Sequence, residues 1–257
     1  MTGKGVTQIG AGTQRVEDEL LARFGAAHNL TLGDTLVRVD SDSMQSPSDY
    51  FNVLDRFARG EIRVLLGTQM IAKGLDFPNV TLVAVLSADT ALAIPDFRAE
   101  ERTFQLVAQV AGRAGRGDKP GRVIVQTMNP DSPAITLAAA HDAPTFAKRE
   151  LEIRRISQLP PSTRIARIVC RDERAERAKD GAARLAHLIT QAADPSVTVR
   201  GPSECVMARI ANTARWELEL SAPSPTPITR VLTAMRERGE LKPDASTVVD
   251  VDPLWLL

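Results

Sequence analysis

The chain has 257 residues, which is enough for two compact domains that each bury a core. Hydrophobic residues make up 43% and charged residues 25%, as in globular proteins, and the formal net charge is zero. These values exclude a protein that is basic throughout, although a local basic surface remains possible. The two cysteines, Cys170 and Cys205, are too few for a zinc site or a disulfide framework. We therefore expect a reducing, cytoplasmic setting, and no apolar run is long enough to predict a membrane span or a signal peptide.

The first half alternates between segments typical of helices and segments typical of strands. In chain order these are helix "RVEDELLARF", strand "TLVRVD", helix "SPSDYFNVLDRFARGE", strand "RVLLGT", strand "VTLVAVLSAD", helix "AEERTFQLVAQVAG", strand "GRVIVQT" and helix "DSPAITLAAA". Ser46 and Pro47 suit the N-cap and the first position of the second helix. The alternation predicts a parallel sheet with helices on both faces, which binds its ligands at the carboxyl ends of strands.

The second half has a different pattern. A basic helix over "APTFAKRELEIRRIS" is ended by Pro160 and Pro161. The following segments are strand "STRIARIVCRD", a helix from about Ala175 to Ala192, strand-like "VTVRGPSE", "VMARIAN" and "RWELELS", a helix near Ile228 to Arg238, and strand "STVVDVDP". This β-α-β-β-α-β order predicts a smaller, ferredoxin-like α+β domain. We place the boundary at residue 144, giving domains over 1–143 and 144–257.

The stretch "GTQMIAKGLDFPN" follows a buried strand and carries polar side chains suited to a phosphorylated ligand. The polar loop contains Thr68, Gln69 and Lys73, and the Thr68 hydroxyl and the Lys73 ammonium near a strand's carboxyl end suit a phosphate. Gly74 permits close backbone approach, and Asp76 could accept a hydrogen bond from a ribose hydroxyl. The alternative is a strand-to-helix turn closed by a capping glycine.

A second stretch, "QVAGRAGR", places two arginines at the end of a predicted helix. On a continuous helix Gln109, Arg113 and Arg116 would share one face. The planar guanidinium matches phosphate geometry, so the pair could act as arginine fingers on a nucleotide γ-phosphate. The alternative is a fraying helix end whose solvated arginines complement the helix dipole.

Taken together, these stretches resemble a known family. "GTQMIAKGLDFPNVTLVAVLSAD", "PDFRAEERTFQLVAQVAGRAGR" and "LPPSTRIARI" closely resemble the PriA family, the primosomal replication-restart DNA helicases of bacteria, and "RWELEL" and "VDVDP" fit its C-terminal domain. The similarity runs from about Gly10 to Pro253. It implies a superfamily 2 helicase, built from two RecA-like lobes of P-loop NTPase-like fold that close on ATP. This chain would hold the second lobe and a DNA-binding C-terminal domain.

The resemblance also implies roles for individual residues. "GTQMIAKGLDF" would be motif V, in which Thr68 and Gln69 face the DNA backbone. In the same motif Gly74 and Asp76 would face the nucleotide.

"QVAGRAGR" would be motif VI, in which Gln109, Arg113 and Arg116 sense the γ-phosphate. These three are the predicted catalytic residues, and with the two motif V residues they are the predicted ATP-binding set.

Several family features are missing from these 257 residues. There is no G-x-x-x-x-G-K-[ST] P-loop and no D-E-x-H sequence to hold Mg²⁺, and both belong to the family's first lobe. The family's zinc-binding cysteine cluster is also missing, so we predict no metal site in this chain. Because phosphoryl transfer depends on alignment of the phosphates, we expect no ATP hydrolysis by this chain alone. For the whole family member, the resemblance implies 3′–5′ translocation.

The C-terminal domain could contact DNA directly. Residues 148–215 contain 14 Lys and Arg against 8 Asp and Glu, a local excess of six positive charges. Such an excess gives salt-sensitive binding to phosphates, and Trp216 beside Arg215 could stack on an exposed base. The alternatives are that Trp216 is a core residue, since it alternates with Leu218 and Leu220, and that the basic residues are solvated helix faces.

Two functional hypotheses follow. In the first, the chain is part of an ATP-dependent helicase for replication restart and primosome assembly at stalled forks. Its partners would be branched and single-stranded DNA and, by resemblance, single-stranded DNA-binding protein and other primosome proteins. In the second, it is a non-catalytic DNA-binding or primosome-interaction module whose fork binding is indifferent to ATP.

Overall fold

The structure is a computed structural model that describes residues 12–40, 44, 46–68, 77, 79–112, 120–242, 244 and 246–256. The chain divides into two compact units. The first consists of Met1–Ile94 and Arg98–Phe146, and the second of Pro95–Phe97 and Ala147–Leu257. The sequence placed the boundary at residue 144 and assigned residues 95–97 to the first domain.

The first unit alternates helices and short strands as the sequence predicts. Its elements are α1 (Thr13–His28), β1 (Leu36–Val39), α2 (Pro47–Ala58), β2 (Val64–Gly67), β3 (Leu82–Val85), α3 (Asp89–Leu92), α4 (Ala99–Ala111), β4 (Arg122–Val125) and α5 (Pro133–Ala139). A further helix, α6 (Ala143–Ile156), crosses the division between the units.

The strands of the first unit pair in parallel, which confirms the predicted α/β class. β1 pairs with β2, with Leu36 opposite Val64, and β3 pairs with β4, with Leu82 opposite Arg122. Within the described residues these are two separate two-stranded sheets. Parallel neighbours need a long crossover, and α2 lies between β1 and β2 in the chain, as α4 lies between β3 and β4.

The start of α2 follows the local rules of helix capping. The Asp49 backbone N–H donates to Ser46 Oγ at 3.3 Å, and the Ser46 backbone N–H donates to Asp49 Oδ2 at 3.0 Å. This reciprocal capping box satisfies two backbone donors that a helix end leaves open. The N-cap predicted at Ser46 is therefore confirmed.

Two phenylalanine rings hold part of the core of the first unit. The Phe104 ring of α4 stacks on the Phe146 ring of α6, with centroids 4.2 Å apart and planes 11° apart. Val107 of α4 and Ala134 and Ala138 of α5 complete this cluster, and all are buried. Burial of these apolar side chains is what fixes α4 against its neighbours.

The second unit has the predicted β-α-β-β-α-β order. It contains β5 (Arg164–Asp172), α7 (Ala175–Ala192), β6 (Thr198–Ile210), β7 (Thr213–Ala222), α8 (Pro225–Glu237) and β8 (Thr247–Val251). The strands form one antiparallel sheet in the order β6-β7-β5-β8. The first and last strands of the motif thus lie side by side, which is the ferredoxin-like arrangement.

Helices α7 and α8 cover one face of this sheet. Ile168 of β5 and Leu218 and Leu220 of β7 are fully buried, and they pack with Ile189 of α7 and Ile228 of α8. Alternate residues of a strand point to opposite faces, so this apolar set leaves the odd-numbered residues of β5 and β7 on the other face.

The segment Pro95–Phe97 makes its contacts with the second unit. Asp96 Oδ2 accepts a hydrogen bond from the Leu256 backbone N–H at 3.4 Å, and the Arg154 guanidinium lies 5.0 Å from the centroid of the Phe97 ring. The Asp96 side chain is buried. The "PDFRA" sequence therefore includes residues that are structural parts of the C-terminal unit.

Candidate nucleotide and nucleic-acid sites

Motif V begins at the carboxyl end of β2. Thr68 directly follows the last residue of this strand and is exposed. The other predicted residues of the motif, Gln69, Lys73, Gly74 and Asp76, lie outside the described residues. Thr68 therefore stands at the edge where parallel sheets bind their ligands, and its predicted contact with the DNA backbone stays a prediction.

Motif VI follows the end of α4. Gln109 lies in the last turn of this helix and is partly buried, and the Gly112 backbone N–H donates to the Ala108 carbonyl at 3.1 Å. Arg113 and Arg116 lie outside the described residues. The buried side of α4, which includes Phe104, holds the helix that carries Gln109. The predicted roles of all three residues toward ATP stay predictions.

Asp89 joins the carboxyl ends of β3 and β4, and no local sequence pattern singles it out. Its Oδ1 accepts hydrogen bonds from the Thr127 hydroxyl at 3.0 Å and the Asn129 side-chain amide at 3.3 Å. Its Oδ2 accepts from the Met128 backbone N–H at 2.9 Å. These hydrogen bonds, with the one from Met128 contributing most, lower the pKa of Asp89 below its ordinary value of 3.8. Asp89 therefore ties the segment after β3 to the segment after β4. Its carboxylate has few lone pairs left to bind a ligand.

An open cleft of about 630 Å³ lies beside these loops. Arg15 and Arg23 of α1 line one side, and Ser87 and Gln126 lie on the side formed by the strand ends. The Arg15 guanidinium already donates to Glu19 at 3.4 Å. The lining also includes the carboxylates of Glu19 and Asp89, so the positive charges of the two arginines are offset within the cleft.

Arg215, predicted to bind DNA, is buried at the start of β7. Four residues of β6, 205–208, face this single residue, because Glu204 pairs with Trp216 and Arg209 pairs with Ala214. The Arg215 Nη1 donates to the Met207 carbonyl in this irregular segment at 3.3 Å, and the side chain is only 7% exposed. Part of its guanidinium thus holds the bulge of β6 in place. The burial weighs against direct contact with DNA by Arg215 alone, and that contact stays a prediction.

Trp216, the other DNA-binding residue predicted in this unit, lies on the helix-covered face of the sheet. It is partly buried and packs against the core that contains Leu218 and Leu220. The Lys179 ammonium lies 5.6 Å from the ring centroid, within cation–π range. The Trp216 ring therefore makes contacts within the protein, as expected from the alternative that Trp216 is a core residue. Its stacking on a base stays a prediction.

The two thiols are buried, and burial raises the pKa of both, that of Cys170 to about 11. They are therefore protonated at neutral pH. In the part of the chain that the structure describes, no cluster of three or more His, Cys, Asp or Glu is arranged to hold a metal ion. Among the same residues, no helix is both long and apolar enough to cross a bilayer.

Comparison with known proteins assigns each part of the chain to a family. Residues 13–118 match the family described as Helicase conserved C-terminal domain, and residues 155–254 match the family described as Primosomal protein N C-terminal domain. The first match covers most of the parallel α/β unit, and the second covers the ferredoxin-like sheet and its helices.

The chain is also similar to bacterial proteins named Replication restart protein PriA. The chain is 39% identical to the Bacillus subtilis protein over 97% of this chain and 30% of the relative. It is 38% identical to the Treponema pallidum protein over 96% of this chain and 36% of the relative. It is 36% identical to the Haemophilus influenzae protein over 95% of this chain and 33% of the relative. The chain thus spans about a third of the length of the curated relatives it matches.

Proposed function

Because this chain belongs to the PriA family of replication restart proteins and matches the C-terminal portion of that family, we propose that it forms part of an ATP-dependent DNA helicase. It supplies the second RecA-like lobe, with motifs V and VI, and a C-terminal domain that binds forked DNA. The observation that carries the proposal is the order of the two folds. A parallel α/β unit that matches the helicase C-terminal domain is followed by a ferredoxin-like unit that matches the primosomal C-terminal domain.

In this proposal the ATP site is shared with another lobe. Arg113 and Arg116, with Gln109 at the end of α4, respond to the γ-phosphate, and Gly74 and Asp76 lie against the nucleotide. ATP supplies the energy of phosphoryl transfer, and Mg²⁺ is held by acidic residues of the other lobe. The 257 residues contain no P-loop sequence, so the phosphate cradle has to come from outside them. Without that cradle the arginines have no aligned phosphate to stabilise.

The proposed DNA contacts divide between the two units. Thr68, Gln69 and Lys73 follow a strand end of the first unit and contact the sugar-phosphate backbone. The second unit contributes its local excess of six positive charges over residues 148–215, which binds phosphates without regard to sequence. The substrate is branched and single-stranded DNA in the cytoplasm, with 3′–5′ translocation. The protein partners are single-stranded DNA-binding protein and other primosome proteins.

A non-catalytic DNA-binding module is the second candidate, because the excess of six positive charges over residues 148–215 could bind DNA without any ATP site. The two candidates differ in how they couple ATP to DNA. A helicase portion binds forks more tightly or more weakly when ATP and the other lobe are both present, whereas a simple module is indifferent to them.

The test is fork binding by the purified chain, measured by fluorescence anisotropy with a labelled forked oligonucleotide between 50 and 200 mM salt. We expect binding whose affinity falls steeply with salt, since each neutralised phosphate releases counterions. A duplex of the same length without a fork is the control and should bind more weakly. Absence of measurable fork binding at 50 mM salt would contradict the proposal.

A further inference from the structure

Two arginines face each other across neighbouring strands of the C-terminal sheet. Arg171 of β5 pairs directly with Arg215 of β7. Directly opposed residues of an antiparallel pair have Cβ atoms roughly 5 Å apart, so two like charges in this position destabilise the sheet. Both residues lie on the face away from α7 and α8, because their neighbours Cys170 and Trp216 belong to the helix-covered core.

On the rest of this face the arginines have carboxylate partners. Arg167 Nε donates to Glu217 Oε2 at 2.6 Å, and Arg200 Nη1 donates to Glu219 Oε1 at 2.9 Å. Asp250 of β8 stands opposite Arg167 in the register and adds a further negative charge at that end. Two of these carboxylates, Glu219 and Asp250, stand level with Arg167 in the register, four residues along β5 from Arg171.

The Arg171–Arg215 pair has no such compensation among the described residues. No Asp or Glu carboxylate there forms an ion pair with either guanidinium, and the Nε of each is buried without a hydrogen-bond acceptor. Among the described residues, the one hydrogen bond from either guanidinium runs from Arg215 Nη1 to the Met207 main-chain carbonyl. A buried N–H without an acceptor costs free energy, and more when the group is charged. An anion brought by a ligand would relieve both the repulsion and the unmet hydrogen bonding.

We propose that the Arg171–Arg215 pair is a binding site for a backbone phosphate of DNA. Arg171 is partly exposed and reaches the ligand, while Arg215 beside it is buried and is held by the bulge of β6. A phosphate accepts hydrogen bonds from the planar guanidinium at two oxygens. DNA is named as the source of the phosphate because the proposed function has this unit bind forked DNA, and residues 148–215 carry an excess of six positive charges that would attract its backbone. This inference rests on the proposed function and names a phosphate contact within it.

The test compares Arg171→Gln with Arg200→Gln in the full chain. Both variants remove one positive charge from the same face of the same sheet, but the Arg200 guanidinium already has the Glu219 carboxylate as its partner. We expect Arg171→Gln to weaken binding of the forked oligonucleotide about tenfold and to lower the slope of log affinity against log salt by about one. Arg200→Gln should change the affinity less than twofold. Arg171→Lys should keep most of the salt slope and recover part of the affinity, since it keeps the charge without the planar fork.

Thermal unfolding separates a binding role from a structural one. Without DNA, Arg171→Gln should unfold about 1–4 °C above the wild-type chain, because the repulsion with Arg215 is gone. A saturating amount of forked oligonucleotide should raise the melting temperature of the wild-type chain more than that of the variant. A residue needed only for the fold would give the reverse, with a lower melting temperature for the variant.

The outcomes distinguish this inference from the proposed function. If the wild-type chain binds forks and the two glutamine variants weaken binding equally, the phosphate site is contradicted and the proposed function stands. If the wild-type chain binds no fork, both are contradicted. A polyglutamate peptide serves as the carboxylate probe. If Arg171→Gln lost affinity for that peptide but not for the fork, the site would bind carboxylates and the inference would be wrong.

Discussion

Gly201 of β6 lies against the carbonyl oxygen of Glu217 in β7. A Cβ built on Gly201 would lie 2.7 Å from that oxygen, and the residue has a φ of +97° that side chains rarely adopt. The approach occurs at the first register shift of β6, between Arg200 and Ser203. Gly201 thus allows the edge strand to stay close to β7 where its pairing is irregular.

Gly201→Ala should destabilise the second unit by about 1–3 kcal/mol, because the new Cβ meets backbone that cannot move away cheaply. The matched control is Gly181→Ala inside α7, where a Cβ meets no atom within 4 Å. This control should be stabilising by about 0.5–1 kcal/mol, since alanine favours the helix. Denaturant unfolding of both variants measures the difference, and equal effects would contradict the account of β6.

A single substitution should stabilise the turn between β6 and β7. Ala211 and Asn212 both have positive φ, at 45° and 65°, as a two-residue type I′ turn requires. Alanine is poorly suited to that conformation, whereas asparagine and glycine are well suited. Ala211→Asn should stabilise the hairpin by about 0.5–1 kcal/mol. A lower denaturation midpoint for this variant would show that the turn is not of this type.

Among the aromatic residues of the first unit, Phe146 should be the one whose truncation to alanine destabilises the fold most. It is 5% exposed and stacks on Phe104. Truncation to alanine should cost about 3–5 kcal/mol, because it removes the stacked ring and leaves a cavity. Phe51→Ala, at a ring that is 68% exposed, should change stability by less than about 0.5 kcal/mol. Circular dichroism with urea unfolding gives both values.

Asp89 should make the first unit sensitive to acid. Its folded-state pKa lies below the ordinary 3.8, chiefly because the Met128 backbone N–H donates to the carboxylate. The stabilisation is therefore fully present above the unfolded-state pKa and is lost as the pH falls through the folded-state pKa. Asp89→Asn should lower the melting temperature at pH 7, because an amide group turns a donor toward one of the three donors around it.

The pH dependence of the melting-temperature difference between the wild-type chain and Asp89→Asn tests whether the charged form of Asp89 is the stabilising one. The gap in melting temperature between the wild-type chain and Asp89→Asn should be constant from pH 7 to about pH 5 and should shrink below pH 3.8, the ordinary value. Asp18→Asn, at an exposed position of α1, is the control and should have little effect at pH 7. A gap that widens in acid would mean that the hydrogen bonds to Asp89 do not stabilise its charged form.

The elements that follow local rules were predictable from the sequence. The N-cap at Ser46 depends on residues within one turn, and α7 runs from Ala175 to Ala192 as predicted. The β-α-β-β-α-β order was visible because β7 alternates strictly between core and opposite face, with Leu218 and Leu220 fully buried. The parallel class and the family resemblance are confirmed as well.

Features that depend on non-local pairing were not predictable. The stretches "VTVRGPSE" and "VMARIAN" are separated only by Cys205, and both contribute to the single strand β6, whose two register shifts no local pattern indicates. The bulge places a carbonyl over Arg215, so a residue that looks exposed in the sequence becomes buried. The role of Asp89 depends on residues 38 to 40 positions away, which no local pattern indicates.

ATP hydrolysis tests the central claim, that this chain holds half of a helicase ATP site, most directly. We would measure hydrolysis with forked DNA by the purified chain alone and after addition of the separately produced N-terminal portion of the Bacillus subtilis relative. We predict no hydrolysis by the chain alone, and DNA-dependent hydrolysis by the mixture that Arg113→Ala abolishes. Hydrolysis by the chain alone that is lost in Arg113→Ala would contradict the account, because the phosphate cradle would then lie within these 257 residues.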